Sequence, residues 1–270
     1  MRSSSSSRNR LAPVLLPLVL LSLWDLSVRY RVLPPSQAAL PFDVISTLWH
    51  LLSKGTLFTH TAFSLLRLSA GVSIGCVMAV ILSLCTVLSP VTSTLVSPTV
   101  QVLAGVPVIL WMPFCVMLFG TGELYKVSLL AIGTFFLVQI FVVHSLRSTE
   151  RRFVELAEMY QKTKVTRIRH MLLPASLPAI IVSTRAALAS GWIVLFFVEF
   201  ATSEQGREGL GWFIADTRHA GRIEEEFAGL VWLGMLAFLL DRAIAKYQTH
   251  RLRWFDPSMI GAPGGAVLTD

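Results

Sequence analysis

The sequence predicts an all-α protein that crosses a membrane about six times, and three observations lead to this fold class. Of the 270 residues, 54% are hydrophobic and only 14% are charged, whereas soluble domains carry about 25% charged residues. Apolar runs long enough to cross a bilayer recur along the chain. Lysine and arginine residues concentrate in alternate connecting segments, as they do in proteins that cross a membrane several times.

The chain begins with a polar, basic segment, residues 1–10, which we expect to be disordered. The apolar run 11–28 follows and is the first predicted span. This run is followed directly by Arg29 and Arg31 and not by a small-x-small cleavage site. We therefore favour an uncleaved span that begins in the cytoplasm over the alternative, a secretory signal peptide.

The connection over residues 29–66 is mixed in polarity, and Pro34, Pro35 and Gly55 interrupt regular structure there. The second span is predicted over 68–88. Two short helices are expected before it, at about 43–53 and 57–67.

Two spans carry small residues at every fourth position, which lets helices approach closely. The pattern leaves open whether these contacts lie within one subunit or between two. The stripes are Gly71, Gly75, Ala79 and Ser83 in the second span, and Ser183, Ala187 and Gly191 in the fifth.

The third predicted span, 95–119, contains several prolines, which remove backbone donors and kink helices. Freed carbonyl groups at membrane depth are tolerated where they line a cavity or pack against protein. Two interpretations stay open: a kinked span that lines a pathway, or simple structural kinking. The candidate pathway residues are Pro107, Trp111 and Pro113, and packing is the default role for Trp111.

The remaining elements follow from the same alternation of apolar and polar segments. Glycines at 120 and 122 predict a tight turn before Glu123. The predicted order after it is span four at 125–145, a basic island at 146–183, span five at 184–203, a loop at 204–226, span six at 227–245 and a basic tail.

The basic island has two sets of apolar residues at helical spacing, which predicts two short amphipathic helices with a turn between them. The sets are Phe153, Leu156, Ala157 and Tyr160, then Val165, Ile168 and Leu172. Glu155 suits a helix start, Thr163 could cap the second helix, and Leu173-Pro174 is expected to end it. Such a unit predicts a docking surface, and the alternative is a solvated basic loop facing anionic lipid.

Charge distribution sets the predicted orientation. Most of the 23 lysine and arginine residues lie in the N-terminal segment, the island and the tail, whereas loop 204–226 carries acidic residues. An even number of spans with both termini in the cytoplasm fits this asymmetry. The net charge of +7 is thereby explained without nucleic acid as a partner.

Signatures of an enzyme or of a metal site are missing from the sequence. It contains no phosphate-binding loop, no zinc-protease motif and no nucleophile elbow, and its histidines and cysteines lack metal-ligand spacing. We therefore expect no enzymatic activity and no cofactor on this chain. Glu199 lies inside the fifth span, where it could line a pathway or, as we favour, bond to neighbouring helix groups or water.

The island resembles the EAA loop of the membrane permease subunits of ABC importers. The resemblance lies in the spacing of Glu155, Ala157, Leu173, Pro174 and Pro178. The sequence departs from that motif in having Leu156 for Ala, Gln161 for Gly and Met171 for Ile.

Further motifs resemble the nitrate, sulfonate and taurine branch of that family, in the same order over residues 33 to 254. They are Leu33-Pro-Pro35, Gly55-x-Leu57-x-x-His60, Ser64-Leu-x-Arg67, Val106-Pro107, Trp111-x-Pro113, Phe119-Gly-x-Gly-Glu123 and Gly209-Leu-Gly-Trp212.

The resemblance implies a permease domain over residues 11–254, followed by a tail at 255–270, in the bacterial inner membrane. It implies a pathway for a small solute such as a sulfonate, taurine or nitrate. The implied partners are a second permease copy, two ATPase subunits that bind ATP and magnesium, an extracytoplasmic solute-binding protein and membrane lipid. The implied ATPase-coupling residues are Glu155, Ala157, Gln161, Thr163, Leu173 and Pro174.

Glutamine at position 161 is the departure with a physical consequence. A glycine suits a left-handed turn between the two helices, and another residue there costs roughly 1–2 kcal/mol. The turn therefore takes another geometry, or the coupling is weaker. Two other functions stay open at this point: a secondary transporter driven by an ion gradient, and a membrane scaffold that recruits a cytoplasmic partner without transport.

Overall fold

The structure is a computed structural model that describes residues 12–34, 37–159, 166, 168–201 and 208–251. These residues form helices and no strand, which confirms the all-α fold class. The predicted disordered N-terminus 1–10 and the tail 255–270 lie outside the described residues. The helices are α1 (Ala12–Arg29), α2 (Pro41–Ser53), α3 (Thr56–Leu88), α4 (Pro90–Ala104), α5 (Met112–Phe119), α6 (Glu123–Met159), α7 (Leu173–Ala201), α8 (Leu210–His219) and α9 (Ile223–Arg251).

Four helices in the described part of the chain are long and apolar enough to cross a membrane. A fifth span is present if the bent pair Pro90–Ala104 and Val108–Phe119 is one span. Helix α1 coincides with the predicted first span 11–28, but it is not among the four, so the total of six spans stays a prediction. The four segments are Thr56–Leu88, Glu123–Arg147, Ser176–Ala201 and Ile223–Thr249.

The chain divides into two compact units. The first unit comprises Met1–Phe63 and Glu199–Leu236, and the second comprises Ser64–Val198 and Ala237–Asp270. Aromatic residues fill the first unit: Trp24 stacks on Phe227 with ring centroids 5.5 Å apart. The indole of Trp232 donates a 2.9 Å hydrogen bond to the Thr61 hydroxyl.

The small-residue stripe on α3 packs closely against α6 in the second unit. Gly71, Gly75, Ala79 and Ser83 are all buried. A Cβ atom at Gly75 would lie 2.7 Å from Cβ of Thr134 on α6, and closer still to the Ala131 carbonyl oxygen. The Ser83 hydroxyl donates to the Gln139 carbonyl oxygen of α6. The stripe therefore serves a contact within one subunit, which is one of the two possibilities left open by the sequence.

The expected break between helices 57–67 and 68–88 is wrong, because Thr56–Leu88 is one continuous helix. The charge of Arg67 made a span boundary plausible at that point. In the structure Arg67 is 5% exposed and donates to the carboxylate of Glu123. A paired arginine does not have to reach water, so the helix continues past it.

The third span is interrupted, as its prolines predict. Helix α4 ends at Ala104, a 3₁₀ turn covers Val108–Trp111, and α5 follows at an angle of 103° to α4. Pro107 precedes the turn and Pro113 lies in the first turn of α5, where its missing donor costs no hydrogen bond. Kinking is thus confirmed, whereas the pathway role of these residues is not tested by the break itself.

The fifth span begins earlier than predicted. Leu173-Pro174 does not end a helix, because Leu173 is the first residue of α7. Proline is well accommodated in the first turn of a helix, where the backbone N–H has no partner within the helix. The predicted start at residue 184 is therefore wrong.

The predicted loop 204–226 contains a helix. Residues 202–207 lie outside the described part, and α8 then begins directly after Gly209, whose φ of 131° is a conformation that favours glycine. The last helix begins at Ile223 and not at residue 227. The apolar pattern does not reveal α8 as a span because this helix has only 10 residues. It misses the start of α9 because Glu224, Glu225 and Glu226 lie in the first turn of that helix.

Candidate functional site: the extension of α6 and the bent segment

Helix α6 continues beyond the apolar span that it contains. The span covers Glu123–Arg147, and the helix ends only at Met159. Glu155 and Ala157 lie on this extension. The predicted separation between span four and the first island helix is therefore wrong, because no proline or glycine interrupts the chain between them.

Arg147, the last residue of the α6 span, connects that helix to α4. Its Nη2 group donates 2.8 Å hydrogen bonds to the hydroxyl groups of Ser93 and Ser97. One guanidinium group thus fastens the first turns of α4 to the residue of α6 at which its apolar span ends.

The two ends of the basic island pack together. Leu146 on α6 and Leu172, just before α7, are 0% and 1% exposed and belong to one apolar cluster with Val142 and Ala187. Residues Ile168–Leu172 form a π-helical turn that leads into α7. A displacement of the island therefore acts on both helices. Gln161 and Thr163 lie outside the described residues, and both Leu173 and Pro174 are exposed.

A second polar contact joins α7 to α9. Arg185 donates to both carboxylate oxygens of Asp241, at 3.0 and 3.1 Å, and to the side-chain oxygen of Gln248 at 3.3 Å. Arg185 lies at the start of the predicted fifth span, 184–203, and the sequence indicated no partner for it. The available signal was one charged residue of each sign within two predicted membrane spans.

A cavity of about 310 Å³ lies beside the bent segment in the second unit. Ala104 and Val108 border it from that segment, and α6 and α7 supply the other walls. Its lining is mainly apolar, with the hydroxyl groups of Thr134 and Ser190 as polar exceptions. Such a cavity accepts a small organic solute more readily than a bare, strongly hydrated ion.

The predicted pathway residues are only partly brought together. Pro107 is exposed and directly precedes the cavity residue Val108, and Pro113 is exposed on α5. Trp111 packs against Phe136 and Phe114, with ring centroids 5.9 and 6.1 Å away. Its indole nitrogen is buried without a hydrogen-bond partner among the described residues.

Glu199 belongs to the first unit and is not among the residues that line that cavity. Its side chain is 1% exposed, and its Oε2 atom accepts a 3.0 Å hydrogen bond from the backbone N–H of Gly211. The His60 ring accepts a similar bond from the N–H of Gly209 at 3.2 Å. Both side chains thus satisfy backbone donors at the start of α8. A pathway role for Glu199 stays a prediction.

A buried charge cluster was missed in the sequence. Arg67 donates to both carboxylate oxygens of Glu123, with Nη2 to Oε1 at 2.9 Å, and Lys126 Nζ lies 3.2 Å from Oε1. Arg67 and Lys126 are 5% and 1% exposed, and Glu123 is half-exposed. The signal was present in the two separate motifs that contain Arg67 and Glu123, but their spacing along the chain does not show that they meet.

The described residues contain no group of three histidine, cysteine or acidic side chains arranged to hold a metal ion.

A family comparison decides the class of protein. The profile of the family described as "Binding-protein-dependent transport system inner membrane component" matches residues 71–248. The chain belongs to this family. The matched region includes the bent segment, the whole of α6, the island and α7.

Similar proteins extend the match over nearly the full length of this permease. It is 29% identical over 250 residues to the "Putative aliphatic sulfonates transport permease protein SsuC" of Escherichia coli, with 91% of this chain and 92% of that protein covered. The Bacillus subtilis protein of the same description is 27% identical, with 89% and 86% covered. The "Taurine transport system permease protein TauC" of Escherichia coli is 23% identical, with 87% and 86% covered.

A solved structure shows the same fold. A chain from "Inward facing conformations of the MetNI methionine ABC transporter" aligns with a TM-score of 0.55 at 20% identity, covering 74% of this permease and 95% of that chain. At this identity the similarity concerns the fold alone.

The protein is therefore the permease subunit of an ABC importer, of the branch that contains the sulfonate and taurine permeases. It is a multi-pass inner-membrane component and not itself an enzyme, and such subunits need no cofactor of their own. This result favours the importer over the two alternatives, the gradient-driven transporter and the scaffold.

Proposed function

We propose that this permease, paired with a second copy, forms the solute pathway and binds ATPase subunits through the basic island 146–183. The single observation that carries the proposal is the continuation of α6 from Arg147 to Met159 beyond its apolar span. That extension is about 18 Å long at 1.5 Å per residue. Charged residues of the island, including Glu155, lie on this extension, and we propose that the ATPase binds there.

The contacts at the base of the island support a coupling role. Leu146 and Leu172 pack in one cluster, and Arg147 bonds to α4 through Ser93 and Ser97. A partner that pulls on the island therefore acts on α4, α6 and α7 together. The proposed coupling residues are Glu155, Ala157, Gln161, Thr163, Leu173 and Pro174.

The partners follow from this assignment. Two ATPase subunits, which hold ATP and Mg²⁺, bind the islands of two permease copies on the cytoplasmic side. Both termini of the permease lie on that side, as the distribution of basic residues favours. An extracytoplasmic solute-binding protein delivers the solute from the opposite side.

The proposed solute is an aliphatic sulfonate. The two SsuC proteins and TauC carry sulfonate and taurine in their names, and the cavity beside Val108 has a mainly apolar lining with two hydroxyl groups. The alkyl chain of an aliphatic sulfonate fits such a lining, whereas nitrate has no apolar part to place there. The charge of either anion would have to be met by the two hydroxyl groups or by groups outside the cavity. Pro107, Trp111, Pro113 and Glu199 remain the candidate pathway residues.

The ATPase-binding role is tested by copurification of the permease with its ATPase from membranes. Glu155→Arg should reduce the amount of ATPase retained by about tenfold or more. The reversed charge would repel the ATPase group that donates a hydrogen bond to the Glu155 carboxylate. Glu150→Arg is the matched control: it makes the same charge reversal on the same helix, about 140° away around its axis. We expect it to retain the ATPase.

Two results would contradict the assignment of the island. One is normal retention by Glu155→Arg together with normal uptake. The other is equal loss with Glu150→Arg, which would indicate a general effect of charge. Membrane insertion should be unchanged in both variants, and extraction yield measures it.

The solute is tested separately, by uptake in the source organism with and without this gene. Deletion should abolish uptake of a radiolabelled aliphatic sulfonate such as hexanesulfonate and leave nitrate uptake unchanged. Unchanged sulfonate uptake would reject the proposed solute without affecting the ATPase-binding result.

A further inference from the structure

Helix α2 is too short to cross a membrane, although it lies between two apolar helices. Its 13 residues, Pro41–Ser53, span about 20 Å, whereas the hydrocarbon core is about 30 Å thick. It follows α1, which ends at Arg29, and α3 begins at Thr56. Along the chain, α2 therefore lies between the end of one apolar helix and the start of the next. At such a position the chain leaves a bilayer and enters it again.

The exposed side of α2 is divided into an apolar strip and a polar strip. Val44 and Leu51 are buried at 2% and 6% exposure and attach the helix to the protein. The apolar strip consists of Phe42, Ile45 and Trp49, which are 74%, 64% and 73% exposed. The polar strip, next to it around the helix, consists of Ser46, His50 and Ser53, which are also exposed.

This division is typical of helices that lie in the plane of a membrane interface. Their apolar side chains enter the boundary between headgroups and acyl chains by roughly 5–10 Å, while the polar side faces water. Tryptophan and phenylalanine are suited to that depth, and tryptophan is enriched there.

Helix α1 of the first unit also exposes apolar side chains. Leu16, Leu20 and Leu23 of α1 are 64%, 57% and 54% exposed, as side chains that face lipid are. Tyr30, at the end of α1, is 76% exposed. Lipid acyl chains would cover the leucines of α1, and the strip on α2 presents the same chemistry at the depth where α1 ends.

A cavity of about 540 Å³ lies where α1 ends and α2 begins, and residues at the start of α9 border it. It is lined by charges of both signs, including Arg31, Asp43 and Glu224. Two other lining arginines have partners: Arg29 pairs with Asp25, and Arg222 pairs with Asp216 and Glu225. Among the described residues, Arg31 and Glu224 have no such partner.

Opposite charges in one cavity complement a zwitterionic phospholipid headgroup. A phosphate group accepts hydrogen bonds from a guanidinium, and a primary ammonium group donates to a carboxylate. Phosphatidylethanolamine carries both groups, separated by two carbon atoms. The phosphate of an anionic lipid could also bind Arg31, but such a lipid has no ammonium group for Glu224.

We propose that α2 and this cavity form a phospholipid-binding surface. The strip of Phe42, Ile45 and Trp49 enters the acyl boundary, and the cavity binds an ethanolamine headgroup, with Arg31 on the phosphate and Glu224 on the ammonium. The proposal rests on membership of a membrane permease family and not on the ATPase site.

Spin labels on α2 test the position of the helix. Ile45→Cys and its matched control Ser46→Cys are introduced into the full chain with Cys76, Cys85 and Cys115 replaced by alanine, and the labelled protein is placed in vesicles of phosphatidylethanolamine and phosphatidylglycerol. Accessibility to oxygen, which dissolves in lipid, is compared with accessibility to a water-soluble nickel chelate. We expect the label at position 45 to favour oxygen and the label at position 46 to favour nickel.

Other outcomes would overturn the interfacial position. Preference for nickel at both positions would place α2 in water. Exclusion of both reagents at position 45 would indicate that a second permease copy or another protein covers the strip. Photoactivatable phosphatidylethanolamine, crosslinked to the unaltered chain and mapped by mass spectrometry, gives an independent answer if the cysteine-free chain folds poorly: labelled peptides from residues 37–53 support the proposal, and their absence opposes it.

Lipid retention tests the headgroup. Wild-type permease, delipidated in detergent and titrated with phosphatidylethanolamine, should bind it about tenfold more tightly than Arg31→Gln does, because one charge-assisted hydrogen bond is lost. Lys54→Gln removes a positive charge outside the cavity and should bind as wild type does. Equal binding by wild type and Arg31→Gln, or equal binding of phosphatidylglycerol and phosphatidylethanolamine by wild type, would overturn the headgroup assignment.

Discussion

Two apolar stretches of the second unit, α3 and the bent segment of α4 and α5, differ in how they contact α6. Helix α3 is continuous from Thr56 to Leu88 and places buried small residues against α6. The bent segment turns by 103° and borders a cavity of about 310 Å³. Hydropathy alone does not separate the two stretches, because both are apolar.

The difference lies in which residues interrupt the apolar pattern. Glycine and alanine at every fourth position remove side-chain bulk but keep backbone hydrogen bonds, so the helices approach and pack. Proline removes a backbone donor and forces a turn, so the chain leaves space beside it. The permease thus has a tightly packed contact on one side of α6 and an open contact on the other.

The largest expected effect is the loss of the tight contact. Gly75→Leu should destabilise the protein by about 3 kcal/mol or more, because even a Cβ atom there would come 2.7 Å from Cβ of Thr134. Thermal unfolding in detergent and the yield of monodisperse protein measure the loss. Gly234→Leu makes the same change at a helical glycine with nothing within 4 Å and should leave both values near wild type. Equal effects of the two would show that side-chain bulk in any span is harmful, and not the close contact.

The next effect concerns the charge cluster that joins α3 to α6. Glu123→Ala should cost about 2 kcal/mol, less than the 3–5 kcal/mol of a fully buried pair because Glu123 is half-exposed. Arg67 and the 1% exposed Lys126 would then face each other without their carboxylate. In Glu123→Ala/Lys126→Met, part of the stability should return, since the second cation is removed. No recovery in this double variant, measured by thermal unfolding, would show that the two cations do not repel each other.

A smaller effect is expected where the bent segment is fastened to α6. Arg147→Ala should cost about 1 kcal/mol, because it removes two exposed 2.8 Å hydrogen bonds to Ser93 and Ser97. A double-mutant cycle with Ser93→Ala/Ser97→Ala measures the coupling by thermal unfolding. Additive effects of the two changes would mean that these contacts do not hold the segment.

The smallest effect is expected at the open contact. Gly133→Ala should change stability by less than about 1 kcal/mol, because its Cβ would lie 3.1 Å from both methyl groups of Val108, which borders the cavity and has room to shift. We expect solute uptake to fall although the protein stays nearly as stable as wild type, because the added methyl group narrows the cavity. Val108→Ala in the same chain should restore uptake. A loss of stability as large as that of Gly75→Leu would contradict the division into tight and open contacts.

Much of this fold could be predicted from sequence because it depends on local patterns. The stripe beginning at Gly71 and the prolines of the third span each act through the backbone near them, and both predictions are confirmed in their structural part. The ends of the helices were harder to predict than their existence. Leu173-Pro174 was expected to end a helix and instead begins α7, because proline fits a first turn as well as it interrupts an interior.

The candidate site was predictable in its location and less so in its contacts. The motif residues Glu155 and Ala157 marked the island, but their helix is an extension of a span, and local periodicity cannot distinguish this from a separate helix. The ion pair of Arg67 with Glu123 joins residues far apart in the chain. Such pairs depend on tertiary packing, and a single sequence does not contain that information.

The unbroken length of α6 has a mechanical consequence. From Glu123 to Met159 the helix has 37 residues and measures about 55 Å. Pivoting about its N-terminal end by roughly 5° moves the C-terminal end by about 5 Å, almost one helical turn. Glu155, close to that distant end, therefore travels several times farther than a residue such as Ala131 in the packed half. A small rotation of the packed half of α6 therefore produces a displacement of several ångströms at the end that we propose binds the ATPase.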